Sequence, residues 1–475
     1  MIELKEITLR KEHPTPIIDH VDLSVNKGEF VVLCGESGSG KSTLLRILNG
    51  LIPELYDGKL QAKGEVFGQD FMTKDFNQYV KHIGVVFQNP KTQFFTSDVY
   101  SELAFAMENY GVSRQEMLEK IDTISTNLDL NQFLDRSMFS LSGGQKQLIA
   151  FASASMLSHK LFLLDEPSSN LDESTIEKLR QYLWQLKQQG MTIIIAEHRL
   201  YYLTDLVDRY LLMDKGQVKR EISEEEMSHL SEEKVASLGL RSLKKKELIK
   251  AQHDESREFQ YELVISDLIY GYKKQQAILN IPNIRLDNSR IIGIVGENGA
   301  GKTTFSKIVS GLIKTKTGMI QFNGKPMTRK DLIRESFVVM QDVNLQLFFE
   351  TVEKELLLNA KHIDKFKEVV DMLSLQPLLM RHPQTLSGGE KQRVAIASAV
   401  LSGKKIVIFD EPTSGLDLVH MQEVSRVIKW LEKQEILILV ITHDKEFIEQ
   451  TCERIIHFAH GEVIDDYIIE KKSEE

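Results

Sequence analysis

Two glycine-rich segments have the residue types and spacing of a phosphate-binding loop, G-x-x-x-x-G-K-[ST]. Glycines let backbone N–H groups curl around phosphate oxygens, and a helix that follows adds its positive N-terminus. The lysine can reach the β- and γ-phosphates of ATP, and the next hydroxyl can bind Mg²⁺. The predicted ATP-binding residues are Gly35, Glu36, Ser37, Gly38, Ser39, Gly40, Lys41, Ser42 and Thr43 in the first loop, and Gly296, Glu297, Asn298, Gly299, Ala300, Gly301, Lys302, Thr303 and Thr304 in the second.

Later in the chain than each loop, an Asp-Glu pair follows an apolar run. Asp165-Glu166 follows residues 161–164, and Asp410-Glu411 follows residues 406–409. Such runs indicate buried strands of a parallel sheet, and ligands bind at the carboxyl edge of such a sheet. We expect each Asp to bind Mg²⁺, and each Glu to orient and polarise the water that attacks the nucleotide.

These segments recur in register, so the chain is an internal duplication. Asp165 and Asp410 are 410 − 165 = 245 residues apart, whereas the two loop lysines are 302 − 41 = 261 residues apart, which leaves 16 additional residues in the first copy. About half of them fall near residues 53–63. We expect domains over 1–222 and 260–475, joined by a charged, solvated tether of mixed sign over 223–259 that contains short helices.

Short β-branched runs alternate with helical patterns in each copy, which predicts an α/β fold with a mainly parallel sheet covered on both faces. The chain has 475 residues, of which 42% are hydrophobic and 27% charged, so it is neither disordered nor collagen-like. Its net charge of −10 argues against a large nucleic-acid footprint, and its two cysteines argue against a disulfide framework. No apolar run is long enough for a membrane span, and the N-terminus lacks an apolar signal core.

With these features together, the sequence resembles ABC-type ATPases that carry two nucleotide-binding domains in one chain. The resemblance covers both domains and implies tandem P-loop NTPase domains, each with a helical subdomain, that form an internal pseudo-dimer. In this family the L-S-G-G-Q segment opens a helix and completes the ATP site of the opposite domain. The matching positions, which the resemblance implies as further ATP-binding residues, are Ser142, Gly143, Gly144, Ser387, Gly388 and Gly389.

The resemblance assigns further roles to single residues. Gln88 and Gln341 match the family's Q-loop glutamine, which contacts Mg²⁺ and senses the γ-phosphate. His198 and His443 match the switch histidine, which contacts the γ-phosphate. The resulting catalytic set is Glu166, Glu411, His198 and His443. The resulting Mg²⁺ set is Ser42, Gln88, Asp165, Thr303, Gln341 and Asp410.

Two positions depart from the family pattern. The second copy offers Tyr272, or less suitably Tyr270, to stack on adenine, whereas residues 9–13 of the first copy contain no aromatic side chain. Arg393 in the helix after the second L-S-G-G segment is replaced by Leu148 in the first copy.

The segment after Gln88 and the Ala196-Glu197-His198-Arg199 run resemble the ATPases of energy-coupling-factor importers. This implies an ATP-hydrolysing, energy-coupling subunit for uptake of a vitamin, metal or other small nutrient. Its partners would be a transmembrane coupling protein and a substrate-capture protein, which it would meet at the cytoplasmic face of the membrane. The alternative is a soluble tandem ABC ATPase that acts on ribosomes, although the short tether of mixed charge and the acidic chain fit that class less well. A regulator without turnover is disfavoured by the two intact glutamates.

Aromatic pairs follow both Q-loop glutamines: Phe94 and Phe95 in the first copy, and Phe348 and Phe349 in the second. One hypothesis is that they line, with the helices predicted over 99–105 and 352–358, a groove that receives a short helix from a membrane subunit. The other is that these rings fill the core beneath the helical subdomain.

Overall fold

The computed structural model describes residues 1–11, 15–169, 171–251, 257–272, 277–358 and 360–470. The chain divides into two compact units, residues 1–245 and residues 246–475. The boundaries proposed from the sequence for the two ATPase domains, 1–222 and 260–475, remain a prediction.

The first unit contains a four-stranded antiparallel sheet and a six-stranded, mainly parallel sheet. The smaller sheet has the order β2-β1-β4-β5 and the larger has the order β10-β9-β3-β8-β7-β6. The strands are β1 (Ile2–Arg10), β2 (Ile18–Val25), β3 (Phe30–Cys34), β4 (Lys59–Val66), β5 (Gln69–Asp70), β6 (Ile83–Val86), β7 (Leu161–Asp165), β8 (Thr192–Ala196), β9 (Arg209–Asp214) and β10 (Gln217–Ser223). The helices are α1 (Lys41–Leu48), α2 (Leu51–Glu54), α3 (Phe76–Val80), α4 (Val99–Asn109), α5 (Arg114–Asn127), α6 (Gly143–Ala154), α7 (Glu173–Gln188), α8 (Glu224–Ser228) and α9 (Glu232–Ser237).

The second unit repeats this plan, with sheets ordered β12-β11-β14-β15 and β16-β17-β18-β13-β19-β20. Its strands are β11 (Glu262–Tyr270), β12 (Leu279–Asp287), β13 (Ile292–Val295), β14 (Met319–Phe322), β15 (Lys325–Pro326), β16 (Ser336–Val339), β17 (Ile406–Asp410), β18 (Leu437–Ile441), β19 (Arg454–Ala459) and β20 (Glu462–Ile468). Its helices are α10 (Lys302–Val309), α11 (Arg329–Glu335), α12 (Val352–Leu357), α13 (Phe366–Met372), α14 (Gly388–Leu401), α15 (Leu418–Glu432) and α16 (Lys445–Thr451).

The central strands are buried on both faces, which explains their unbroken apolar sequences. In β3, Phe30, Val32 and Cys34 belong to one hydrophobic cluster and Val31 and Leu33 to the other, on the opposite face of the sheet. In β17 the side chains alternate in the same way between two clusters. The predicted α/β fold with mainly parallel sheets is confirmed.

The 16 additional residues of the first copy fall in two places. Gln88 and Gln341 are 341 − 88 = 253 residues apart, so eight precede Gln88 and eight follow it. The first eight lengthen the stretch between α1 and β6, where β4 has eight residues and its counterpart β14 has four. The others lengthen the helical subdomain, in which α4 and α5 have 11 and 14 residues but α12 and α13 have only 6 and 7.

The segment after β10 is not a solvated tether in its first part, so the sequence-based expectation is corrected there. Helices α8 and α9 form as expected, and the Ser223 hydroxyl caps α8 by accepting a hydrogen bond from Glu226 N. Met227, Val235 and Leu240 are at most 4% exposed and join the hydrophobic core of the first unit. Residues 252–256 of the predicted tether lie outside the described residues. Among the residues that the structure describes, none of the helices combines the length and apolar character needed to cross a lipid bilayer.

Candidate functional site

The first glycine-rich loop connects β3 to α1 and depends on its glycines. Gly35, Gly38 and Gly40 have φ values of 131°, 81° and 105°, in the region that disfavours any residue with a Cβ. A Cβ on Gly35 would also lie 2.2 Å from Met213 O. The Lys41 side chain lies across the loop, with Nζ donating to Gly35 O and Glu36 O at 2.8 Å each. The loop therefore has the shape and the cation that a phosphate group requires.

The second loop connects β13 to α10 and has the same construction. Gly296, Gly299 and Gly301 have φ values of 143°, 91° and 99°. Lys302 Nζ donates to Gly296 O at 2.6 Å and to Glu297 O at 2.9 Å. Both lysines are buried within the fold, at 4% and 6% exposure, which holds the ammonium groups in place.

A hydroxyl and a carboxylate meet at the start of each loop helix. Ser42 Oγ donates to Asp165 Oδ1 at 2.8 Å, and the Thr303 side chain makes the corresponding hydrogen bond to Asp410. Burial, and then the neighbouring Glu166 charge, raise the pKa of Asp165 to about 6, and burial raises the pKa of Asp410 to about 6. Hard oxygen donors of this kind suit Mg²⁺, and a cation between them would stabilise the ionised carboxylate.

Glu166 and Glu411 leave their strands in a strained conformation. Their φ values are 46° and 51°, a region that non-glycine residues rarely occupy and that is frequent at functional sites. Each peptide N–H donates to the neighbouring strand, Glu166 N to Ala196 O and Glu411 N to Ile441 O, both at 2.8 Å. The strand pairing therefore fixes the backbone while the side chain turns away from the sheet.

Each predicted switch histidine lies beside the glutamate of its own unit. In the first unit the Q-loop glutamine also contacts that glutamate. His198 Nε2 lies 3.5 Å from Glu166 Oε1, and His443 Nε2 lies 3.4 Å from Glu411 Oε1. Gln88 Nε2 donates to Glu166 Oε2 at 2.8 Å. The structure thus brings together the loop, the Asp-Glu pair, the glutamine and the histidine of the first unit at the carboxyl ends of β3, β7, β6 and β8.

The L-S-G-G segments lie at helix N-termini, as predicted from their sequence. Ser142 and Gln145 form a reciprocal capping box at the start of α6, and Ser387 and Glu390 do so at α14. Such an end presents backbone N–H groups suited to an anion. The role of Ser142, Gly143, Gly144, Ser387, Gly388 and Gly389 in completing the opposite ATP site remains a prediction.

The expected adenine-stacking residue lies just beyond β11. Tyr272 is 42% exposed and meets the Tyr270 ring edge-to-face, with centroids 5.2 Å apart. In the first unit Leu9 is buried in the core, and residues 12–14 lie outside the described part of the chain. A stacking role for Tyr272 remains a prediction.

Two side chains in each unit that belong to no predicted motif anchor the loop after the Q-loop glutamine. The Gln93 side-chain amide accepts from Phe87 N at 3.2 Å and donates to Val85 O at 2.8 Å. It thereby replaces the hydrogen bonds that a further strand would make to the edge strand β6. Gln346 makes the same two bonds to Met340 N and Val338 O. Their spacing of 346 − 93 = 253 equals that of Gln88 and Gln341, and this register could have identified them.

Buried carboxylates hold the other end of these loops. Glu102 is 1% exposed, and its Oε2 accepts from Phe95 N at 3.0 Å and from Thr96 N at 2.8 Å. Glu355 is 5% exposed and accepts from Phe348 N at 2.8 Å and Phe349 N at 2.9 Å. Each loop is therefore tied at both ends, to the edge strand and to the next helix.

The anchored loops display one phenylalanine each. Phe95 and Phe348 are both 75% exposed, whereas Phe94 packs against the core of the first unit and its counterpart Leu347 is 2% exposed. The core-packing hypothesis therefore holds for Phe94 and not for Phe95, and the docking hypothesis remains a prediction. In the first unit Phe95 stacks on Phe105 at 4.9 Å.

A cavity of about 780 Å³ opens beside this loop in the second unit. Its lining includes apolar Phe337, Leu347 and Leu358 together with Lys361, Lys404 and Glu355. Residues of edge strand β16, of α12 and of α14 line this space. Apolar and charged side chains therefore share the lining of this groove.

Comparisons with known proteins agree with this geometry. A family model described as ABC transporter matches residues 18–169 and 279–414. A protein of Treponema denticola named putative ABC transporter ATP-binding protein is 41% identical over 461 residues, covering 96% of this chain and 94% of that protein. A second protein of the same organism and name is 37% identical, covering 98% of this chain and 97% of that protein.

A solved structure is similar across both units. The archaeal ribosome recycling factor aABCE1, in complex with the archaeal ribosomal stalk protein aP1, is 25% identical, with a TM-score of 0.67. The match covers 98% of this chain and 90% of that chain.

Proposed function

The chain belongs to the ABC transporter family and is a tandem ABC ATPase, and from this premise we propose that it is the energy-coupling subunit of a membrane importer. In this proposal it hydrolyses ATP with Mg²⁺ at two sites. The transported nutrient would be a vitamin, metal or other small molecule that a separate membrane protein captures.

In this proposal one unit supplies the lysine, the Mg²⁺ ligands, the glutamate and the histidine of each ATP site. Lys41 and Lys302 would hold the phosphates, and Mg²⁺ would be held by Ser42, Gln88 and Asp165 in the first unit and by Thr303, Gln341 and Asp410 in the second. Bound Mg²⁺ would neutralise the charge that develops on the phosphate oxygens. Glu166 and Glu411 would accept a proton from the attacking water, and His198 and His443 would contact the γ-phosphate. The L-S-G-G segment of the other unit would complete each site.

The observation that carries the importer proposal is the pair of anchored loops. A phenylalanine that is 75% exposed at the same place in both units leaves apolar surface in water unless a partner covers it. Each loop begins at the glutamine assigned to sense ATP, and in the first unit that glutamine contacts Glu166 directly. A short helix of a transmembrane coupling protein, docked on Phe95 or Phe348 at the cytoplasmic face, would therefore be joined to the site by a few residues.

The two docking surfaces differ, which suits two different helices. The first unit presents the stacked rings of Phe95 and Phe105, whereas Leu358 replaces Phe105 in the second. Lys361 and Lys404 line the second groove, so we propose that the helix docked there carries acidic side chains.

A ribosome-associated ATPase is the second candidate, and one observation favours it. A solved structure that is similar across both units is a ribosome recycling factor, which supports this alternative better than it supports an importer. The relatives at 37–41% identity over nearly the whole chain bear the transporter name instead.

One experiment separates the two candidates. The tagged chain is isolated from its native cells in mild detergent, and in parallel from the ribosomal fraction on a sucrose gradient with a slowly hydrolysed ATP analogue. The importer proposal expects copurification of multi-span membrane proteins whose addition changes the ATPase rate, with no nucleotide-dependent shift to the ribosomal peak. A nucleotide-dependent shift with no membrane partner would overturn it.

A further inference from the structure

The loop that follows β8 in the first unit and the loop that follows β18 in the second unit form different hydrogen bonds. Residues 197, 198 and 199 of the first unit are Glu, His and Arg, and residues 442, 443 and 444 of the second are Thr, His and Asp. All but the His443 side chain are under 9% exposed, so their hydrogen bonds are formed away from bulk water. The difference falls beside the glutamate assigned to activate water.

In the first unit the buried carboxylate of Glu197 holds the loop that follows β8. Glu197 Oε1 accepts from His198 N at 2.8 Å and from Arg199 N at 3.1 Å. Its Oε2 accepts from Tyr202 OH at 2.8 Å and from Ser168 N at 3.4 Å. Glu197 thereby ties the switch loop to the loop after β7, while the Glu166 carboxylate contacts Gln88 and His198.

In the second unit the same two loops are tied by a carboxylate on the other side of the histidine. Asp444 Oδ2 accepts from Thr413 Oγ1 at 3.1 Å, and Oδ1 caps α16 by accepting from Phe447 N at 3.3 Å. Arg199 occupies this position in the first unit. Its side chain has only hydrogen-bond donors and cannot accept from the N–H groups that begin a helix. Residues 201–206 form turns there instead.

Because Asp444 ties the two loops of the second unit, the side chain at position 442 makes other hydrogen bonds. Thr442 is 0% exposed, and its Oγ1 accepts from Asp444 N at 3.1 Å and donates to Glu411 Oε2 at 3.1 Å. The other oxygen of Glu411 faces His443 Nε2 at 3.4 Å. A hydroxyl that donates to one carboxylate oxygen selects the rotamer that keeps the other oxygen beside the histidine. Glu197, which occupies position 442's place in the first unit, has no hydroxyl to donate.

We propose that Thr442 is a positioning residue for ATP hydrolysis, acting through Glu411, whereas in the site built on Lys41 the corresponding oxygen of Glu166 accepts from Gln88 and position 197 donates no hydroxyl. This inference rests on the proposed role of Glu411. Its consequence is that the two ATP sites differ in how their glutamate is held.

The test is a double-mutant cycle of Thr442→Val with Glu411→Gln in the full chain, followed by steady-state ATP hydrolysis. Valine keeps the shape of threonine and removes the hydroxyl. We expect kcat to fall by about twofold if the two sites turn over independently and by up to about tenfold if they are coupled, with KM unchanged. Thr442→Ser should restore the rate, and Thr442→Val should have no effect in the Glu411→Gln chain.

Tyr202→Phe is the matched control, because it removes a buried hydroxyl that donates to Glu197 and not to a glutamate assigned to activate water, and it should leave kcat unchanged. Thermal unfolding of each variant separates a loss of fold from a loss of positioning. The inference fails if Thr442→Val keeps full kcat, if serine does not restore the rate, or if valine slows the Glu411→Gln chain by the same factor. Unchanged hydrolysis by Glu411→Gln itself would instead contradict the assigned role of Glu411, and with it this inference.

Discussion

Gln88 Nε2 donates a hydrogen bond to Glu166 Oε2 at 2.8 Å, although the two residues are 78 positions apart in the chain. The bond joins a residue two positions beyond the end of edge strand β6 to the residue that directly follows β7. Gln93 and Glu102 anchor the loop that follows Gln88. A displacement of this loop would therefore be transmitted to Glu166 through the Gln88 side chain. This relationship makes the glutamates the first place to test the proposed chemistry.

Replacing either glutamate should separate ATP binding from ATP hydrolysis. Glu166→Gln and Glu411→Gln retain the side-chain shape but remove the group that accepts a proton, so turnover at the affected site should fall by roughly 10²–10⁴-fold. ATP should still bind, since the loops of Lys41 and Lys302 are unchanged. Steady-state hydrolysis and binding of a fluorescent ATP analogue measure the two effects. Glu177→Gln on the exposed face of α7 is the control, and full turnover by the doubly substituted chain would disprove the assignment.

The loops and Asp-Glu pairs could be predicted from the sequence because their chemistry depends on local order. Glycine spacing, the lysine and a following helix are contiguous, and Asp165 directly ends an apolar strand. The burial of Glu102 could not be predicted, because its hydrogen-bond donors are backbone groups of a loop whose path is set by tertiary contacts. The packing of Met227 and Val235 was missed because the intervening charges gave this segment the composition of a solvated linker.

Tyr272 should make the two nucleotide sites unequal in affinity. A stack of an aromatic ring on a nucleic-acid base contributes about 1–3 kcal/mol, and the first unit has no aromatic residue over positions 9–13. Tyr272→Ala should weaken ATP binding by roughly 5- to 160-fold at the site built on Lys302, measured in a Lys41→Ala chain by titration calorimetry. Tyr270→Phe is the control, because it keeps the neighbouring ring. Equal weakening in a Lys302→Ala chain would refute the asymmetry.

The buried carboxylates should matter for stability as well as for coupling. Glu102→Ala leaves the partly buried Phe95 N and Thr96 N without their acceptor and should lower the free energy of unfolding by about 1–3 kcal/mol in total. Glu102→Gln keeps one acceptor oxygen and should lose less. Urea unfolding of the full chain, followed by tryptophan fluorescence and circular dichroism, measures the difference. Glu108→Ala changes an exposed carboxylate on the same helix and should be neutral; equal losses for residues 102 and 108 would contradict the anchoring role.

Phe95 and Phe348 should be needed for partner association and not for folding. Each side chain is 75% exposed, so truncation to alanine removes little core packing, and basal ATP hydrolysis should persist. An aromatic anchor seated in a partner contributes about 2 kcal/mol or more, so Phe95→Ala or Phe348→Ala should weaken association with the membrane subunits at least ~30-fold and abolish transport in the double variant.

Two other substitutions make this prediction specific. Phe139→Ala removes a ring that is 85% exposed elsewhere on the first unit, and it should leave association and transport intact. Phe94→Ala removes a ring that packs in the core and should lower the unfolding midpoint instead. Because Phe94 and Phe95 are adjacent, opposite outcomes for them locate the contact on the displayed face of the loop. Full association by both Phe95→Ala and Phe348→Ala would place the docking surface elsewhere, and unfolding of both would mean that these rings stabilise the fold.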